Sequence, residues 1–374
     1  MRKTWAVARK ELRQISRDPL SLVMLIGLPA FMLVLYGFAL NFDVRHVALA
    51  VQDLDGSRAS RDLLSAFVNS TYFDVTVVAD AGDDLERVTR MRKAKAVLVI
   101  PRGYGNDLAA GRAAAVQLLL DGTDATTAQT ILGYAGSIAS EANSRLLHAA
   151  LARIGMTAPE LTAYEPRVFY NPELRSTQFL VPGLIGFLLM LTAVLSTAMS
   201  VVREKERGTM EQIRVSPVRT AELILGKATP YLVISLLATA IIILAARVLF
   251  GVVVRGSYLD LLAVTVLYLL GALGFGLLIS TIADTQALAF QIGLLTSLLP
   301  ALLLSGFIFP IRTMPLVLRA FTNLVPARHF LIVLRGIILK GADLSPYVEQ
   351  LAILALFATA TLALASLRMS RREA

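Results

Sequence analysis

The sequence predicts a mainly α-helical membrane protein with six transmembrane helices and an inserted external α/β domain. Three observations carry this. Of 374 residues, 56% are hydrophobic and only 17% charged, whereas soluble chains carry about 25% charged residues. Six stretches hold no Asp, Glu, Lys or Arg: 20–40, 176–202, 228–246, 261–283, 285–311 and 350–367. Each is close to or above the roughly 20 residues that a helix needs to cross a bilayer. Finally, residues 42–176 carry 14 basic and 16 acidic residues, while the rest of the chain has a balance of +11. The basic excess therefore borders the apolar runs, as the positive-inside rule requires.

Residues 1–18 form an amphipathic connecting helix. Trp5, Ala8, Leu12 and Ile15 recur at three- and four-residue steps opposite Arg9, Lys10 and Arg13, which suits a membrane surface. Arg2, Lys3, Arg9, Lys10, Arg13 and Arg17 put that end in the cytoplasm. The run that follows, 19–41, is of spanning length and no small-residue cleavage site succeeds it, so it reads as a retained anchor rather than a signal peptide.

Residues 42–175 are then external and fold by themselves. Segments 46–52, 72–78, 96–100 and 116–120 have strand composition. Residues 57–70 and 83–94 read as helices, and a long helix runs from a cap at Thr123 or Asp124 to about residue 154. Five further spans occupy 176–367. The loop 203–220 returns to the cytoplasm with Arg203, Lys205, Arg207, Arg214 and Arg219, and Lys227 is counted with it. The tail 368–374 is also cytoplasmic. The region 310–348 is external and departs from the charge rule, with Arg312, Arg319, Arg328, Arg335 and Lys340. Within it 329–339 is apolar but too short to span, so it reads as re-entrant or interfacial, its arginines snorkelling outward.

Several chemistries are excluded. No aromatic-and-basic stripe suggests nucleic acid. The chain has no cysteine, and His46, His148 and His329 are scattered, so no zinc-binding pattern arises. Asp53-Leu54-Asp55-Gly56 resembles the start of a calcium loop, but Leu64 stands where a glutamate is needed; a turn and helix cap explains it better. Gly226-Lys227 lacks the rest of a phosphate-binding loop. The chain is thus expected to be no enzyme and to bind no cofactor of its own.

The densest charge lies at 203–212, Arg-Glu-Lys-Glu-Arg-Gly-Thr-Met-Glu-Gln, continuing to Ser216-Pro217. Each charge at mid-membrane would cost about 3 kcal/mol, so this cluster lies at or beyond the surface. Glu204, Arg207 and Glu211 fall at helical spacing, and Pro217 would end such a helix. The run REKERGTMEQIRVSPV with ELILGKATPYLVI at 222–234 resembles the signature of type-2 ABC exporter permeases. YNPELRSTQFLVPG at 170–183 and VQDLDGSRAS at 51–60 are similar to the subfamily with a large external domain between its first two spans. The resemblance covers essentially the whole chain. It implies a coupling helix here that docks on a separate ABC ATPase subunit, so that Glu204, Glu206, Gly208, Thr209, Glu211 and Pro217 receive the ATPase's movement. It also implies that the connecting helix, with Trp5, Leu12 and Ile15, faces that subunit, and that a second permease, identical or paralogous, completes the pathway.

Within the spans polarity is mild. Thr192, Ser196 and Ser200, with Gln291 and Thr296, are candidates for a substrate pathway, although such residues also bond between helices. The absence of mid-span charge argues against an ion-coupled transporter. The expected function is therefore ATP-driven export of amphipathic, drug-like or lipid-like molecules across a bacterial inner membrane, with a periplasmic membrane-fusion adaptor as a further partner. The alternative is a non-transporting scaffold that transmits ATPase movement to its external domain.

Overall fold

A computed structural model describes residues 2–39, 44, 46–153, 169–172, 175–210 and 219–371. The chain divides into two compact units, one of Met1–Asn41 with Arg167–Ala374 and one of Phe42–Pro166. It opens with α1 (Arg2–Ser16), then α2 (Pro19–Leu22), a π-helical turn at Val23–Gly27 and α3 (Leu28–Ala39). The π turn has a local cause. Pro29 has no N–H and its ring crowds the carbonyl four residues back; widening the preceding turn, where the Leu28 N–H bonds to Val23 O, relieves this. The expected first span is therefore divided, and its apolar helix, Leu25–Ala39, is shorter than the helices that are long enough by themselves to cross a membrane.

The second unit is α/β: β1 (Val47–Asp53), α4 (Arg58–Val68), β2 (Phe73–Val78), α5 (Leu85–Arg90), β3 (Ala96–Ile100), α6 (Tyr104–Ala109), β4 (Gln117–Leu120) and α7 (Ala125–Arg153). The strands lie in the order β2-β1-β3-β4, with β1 parallel to β2 and β3 and with β4 antiparallel to β3. Central strands buried on both faces need near-continuous apolar sequence, which Val47–Asp53 and Ala96–Ile100 supply. One face packs Leu49, Val51, Leu98 and Ile100 on Leu63, Phe67 and Ile131; the other sets Ala50 and Val97 near Leu85 and Val88 of α5. Asp124, whose carboxylate accepts from the Thr127 N–H at 3.2 Å, caps α7.

The first unit continues with α8 (Ser176–Glu206), α9 (Thr220–Phe250), α10 (Tyr258–Ile282), α11 (Gln286–Leu303), α12 (Leu316–Thr322), α13 (Pro326–Arg335) with a π turn at Gly336–Lys340, and α14 (Val348–Arg371). Among the described residues, five helices are long and apolar enough to cross a membrane: α8, α9, α10, α11 and the run Ser345–Arg371. A sixth arises if the pair Leu316–Thr322 and Pro326–Lys340, bent by 77°, counts as one. α8 is the central pillar, packed by α3, α9, α10, α11 and α13. Gly276 allows α10 its closest approach, since a Cβ there would lie 2.0 Å from Thr197 Oγ1 and 2.5 Å from Val194 O. α9, by contrast, leaves Leu225, Val233, Leu237, Leu244 and Val248 exposed along one side, a face for lipid or for another chain.

Three expectations need correction here. The spacing of Glu204, Arg207 and Glu211 suggested one helix, but α8 stops at Glu206. Arg207 is its cap and Gly208 takes a left-handed φ of 69°, a helix stop that glycine alone adopts without strain. Lys227 also lies two turns inside α9 rather than in the loop. In the bent region, Arg312 and Arg319 are exposed, but Arg335 turns inward. Its guanidinium donates to Gly306 O at 3.0 Å and Phe179 O at 3.3 Å and lies 3.7 Å over the Phe179 ring.

Candidate functional site

The last turn of α8 is Arg203-Glu204-Lys205-Glu206, and its side chains together reach four other helices. Four successive helical residues point in four directions about 100° apart, as 3.6 residues per turn dictates. Arg203 donates to Asp18, between α1 and α2, at 3.0 Å and to the Gln286 side chain at 3.2 Å. Lys205 donates to Ala283 O at 3.0 Å and also to Ser280 O, at the C-terminal end of α10. Glu206 accepts from the Gln286 backbone N–H, the first of α11, at 2.7 Å, and from its side chain. A cation on a helix C-terminus and an anion on a helix N-terminus each complement the local dipole. One turn of α8 thereby clips both sides of the α10–α11 corner.

Glu204 points the opposite way and is buried, 4% exposed. It pairs with Lys227 of α9 at 2.6 Å and with Lys10 of α1. Lys227 also binds Glu11 at 2.9 Å, and Lys10 reaches Glu11 at 3.1 Å. Glu11 and Lys227 are each only 1% exposed. The four charges sum to zero, the condition under which buried ions persist. Burial opposes ionisation of Glu11, yet the attraction of Lys227 and Lys10 outweighs it and holds its carboxyl below the usual range. Lys10 is pushed above the usual lysine range: burial again opposes, while the bond to Glu204 and the charge of Glu11 prevail. Close contact aids the pairing, because Gly226 beside Lys227 lets the Thr4 carbonyl and Val7 of α1 approach.

An apolar cavity of about 130 Å³ adjoins this hub. Leu28 and Met32 of α3, Leu188 of α8, Tyr231 of α9 and Phe290 of α11 line it, with Thr192, Ser196 and Ser200 along one face of α8. Those hydroxyls are satisfied: Thr192 bonds to Leu188 O at 2.8 Å, Ser196 to Ala193 O at 3.1 Å and Ser200 to Glu11 at 3.3 Å. Arg203 and Gln14 add polarity to an otherwise oily wall. Such a space suits an amphipathic molecule better than an ion.

The remaining expected residues are placed as follows. Gly208 ends α8, and the Thr209 hydroxyl bonds to Glu204 O at 3.3 Å. Glu211 and Pro217 lie outside the described residues. Ile15 is buried, whereas Trp5 and Leu12 are 65% and 45% exposed. The face of α1 that meets the protein is therefore Ala8, Glu11 and Ile15, and Trp5 and Leu12 point elsewhere. Gln291 and Thr296 sit on the exposed side of α11 and are not part of the cavity wall. Sequence reasoning missed Glu11, Lys10 and Lys227. Glu11 did leave a signal, a carboxylate at helical spacing between two apolar residues of the same stripe; Lys227 left one in being the single charge within a long apolar run.

The chain resembles known proteins along most of its length. Residues 19–367 match the family described as ABC-2 family transporter protein. A probable multidrug ABC transporter permease of Escherichia coli, YbhS, is 33% identical over 369 residues, covering 96% of this chain and 94% of that protein. A second, YbhR, is 31% identical and covers 99% of both. The Escherichia coli inner membrane transport permease YhhJ is 28% identical over 353 residues, 91% of this chain and 90% of its own length.

Proposed function

Because the chain belongs to the ABC-2 transporter family, we propose that it is the permease subunit of an ATP-driven exporter of the multidrug type. It moves amphipathic, drug-like or lipid-like molecules out across the bacterial inner membrane. A second permease completes the pathway, and a separate ATPase subunit holds ATP and Mg. The spans in this reading are α2–α3 and the five long helices, with α12–α13 re-entrant on the outer side. Both termini are cytoplasmic and the α/β unit is periplasmic, where it meets a membrane-fusion adaptor. The basic residues near α1, the 203–219 segment and the tail support that orientation.

One observation carries the mechanism: the single turn Arg203–Glu206 is tied to α1, α9, α10 and α11 at once. The coupling loop that the family resemblance assigns to the ATPase, 203–220, begins with this same turn. A push there reaches α8 and, through its four side chains, every helix it clips. The helices then move as packed bodies between two arrangements rather than deforming smoothly. The cavity lined by Leu188, Thr192 and Phe290 lies among these same helices, so their movement changes its access.

The test is reconstitution of the chain with the ATPase encoded beside it, in vesicles loaded with a fluorescent amphiphile. ATP-dependent movement, lost on Glu206→Ala and Glu211→Ala while assembly is kept, is the expected result. ATPase binding without transport of any amphiphile would support the scaffold reading instead.

A further inference from the structure

A second concavity, of about 300 Å³, lies away from the hub between α9 and α10. Its sides are Leu236, Ile243 and Leu244 of α9 facing Leu261 and Leu262 of α10. At one end stand Arg247, one turn before α9 finishes, and Tyr258, the first residue of α10. From Arg247 down to Leu236 the helix descends about 16 Å at 1.5 Å per residue. That is about half of the roughly 30 Å hydrocarbon core, the depth of one leaflet. The groove is therefore oily over one leaflet's depth and cationic at the interfacial end.

The Arg247 carbonyl accepts from the Gly251 N–H at 3.1 Å, but its guanidinium has no ion-pair or hydrogen-bond partner among the described residues. Asp260, in the first turn of α10, is not part of the groove wall. We propose that this groove holds one anionic phospholipid, an acyl chain along Leu236–Leu244 and the phosphate against Arg247, with the Tyr258 hydroxyl as a second donor. The charge complementarity favours this occupant over a helix of a second permease, which would have to bring a carboxylate to the same level. Bound so, the lipid steadies α9 against α10, two helices that are both tied to the Arg203–Glu206 turn. Which leaflet it comes from rests on the orientation proposed above; the presence of the lipid does not.

Native mass spectrometry of the detergent-purified full chain, mixed with phosphatidylglycerol or phosphatidylethanolamine, tests this. Wild type is expected to retain phosphatidylglycerol preferentially. Arg247→Gln, a surface change that leaves the fold intact, lowers its retention about fivefold, the weight of one cation at a membrane surface. Leu244→Trp, which fills the groove, abolishes retention of both lipids. Equal retention by wild type and Arg247→Gln would overturn the proposal. So would disulfide cross-linking of Leu244→Cys or Leu262→Cys to a second copy, a clean assay because the chain has no cysteine of its own. Neither outcome bears on whether the protein exports amphiphiles.

Discussion

Each unit holds a pair of hydrogen-bonded carboxylates, half-buried in the α/β unit and buried in the helical one, and satisfies them in opposite ways. In the α/β unit, Asp53 accepts from the Asp55 and Gly56 N–H groups at 3.0 Å and from the Ser60 hydroxyl at 2.7 Å. Asp55 accepts from the Gly103 and Gly105 N–H groups at 2.9 and 3.0 Å. These partners are mostly backbone, so the carboxylates fix two loops at the ends of β1 and β3. In the helical unit, Glu11 and Glu204 are answered by lysines from other helices. Backbone bonds hold one loop geometry. Side-chain ion pairs bind whole helices to one another and can travel with them. The contacts of the α/β unit thus keep a shape, and those of the hub suit the movement that the proposed function asks of it.

The largest effect should come from breaking the hub. Lys227→Met leaves Glu11 and Glu204 buried with only the half-exposed Lys10 between them. Removing one partner of a buried ion pair costs roughly 3–5 kcal/mol, so α1 should detach. Thermal unfolding in detergent, and protease cleavage near residues 16–18, would both register it. Lys10→Met should do much less, and equal effects would mean that the buried pairs are not the anchor.

Next is packing. Gly276→Val forces α8 and α10 apart, with an expected loss of about 1–3 kcal/mol. Gly133→Val on α7, where an added Cβ meets nothing within 4 Å, should leave the melting temperature unchanged. A similar loss at both positions would deny that α8 is the tighter pillar.

The pH dependence is smaller and distinguishes the units. Glu11 has a depressed pKa, so its contribution is complete above the ordinary carboxylate range and is lost as pH falls through the folded value. Lys10 has a raised pKa; its contribution is complete below the ordinary lysine range and is lost as pH rises through the folded value. Attachment of α1 should therefore weaken at both extremes. Asp53 and Asp55 are also depressed. For Asp53, burial opposes but the Gly56 N–H and Ser60 hydroxyl prevail. For Asp55, the Ser57 side chain leads, followed by Gly105 and Gly103. The α/β unit should accordingly weaken only on the acid side through these groups. Hydrogen exchange at residues 4–15 and 103–105 across pH would show whether the two patterns differ. The smallest expected change is Asp55→Asn, faster exchange confined to Gly103 and Gly105 at neutral pH.

Much of this was legible in the sequence where the signal is local. The apolar runs, the four strands and the stripe Thr192, Ser196, Ser200 follow from periodicity, and the cap at Asp124 from its residue type. The hub was only half legible. Charge density marked Arg203–Glu206 as lying at or beyond the membrane surface, but its partners stand as far away in sequence as Lys10 and Glu11, and pairing over such separations leaves no periodic trace. Lys10 was read as part of a solvated face and Lys227 as part of a loop. The groove's Arg247 leaves no mark in the sequence for the same reason: the lack of a partner for its side chain shows only when the helices are assembled. The stop at Gly208 could have been read from the glycine alone, since helices commonly end there.

The central claim is that the hub carries ATPase movement into the bundle through charge. The most direct measurement is transport per ATP hydrolysed in the reconstituted complex, for Glu11→Lys, for Lys227→Glu, and for the full exchange Lys10→Glu, Glu11→Lys, Glu204→Lys and Lys227→Glu. Each single variant is expected to uncouple hydrolysis from transport, and the full exchange, which restores opposite charges at all four contacts of the hub, to recover a substantial part of it. Single variants that assemble and transport as well as wild type would contradict it.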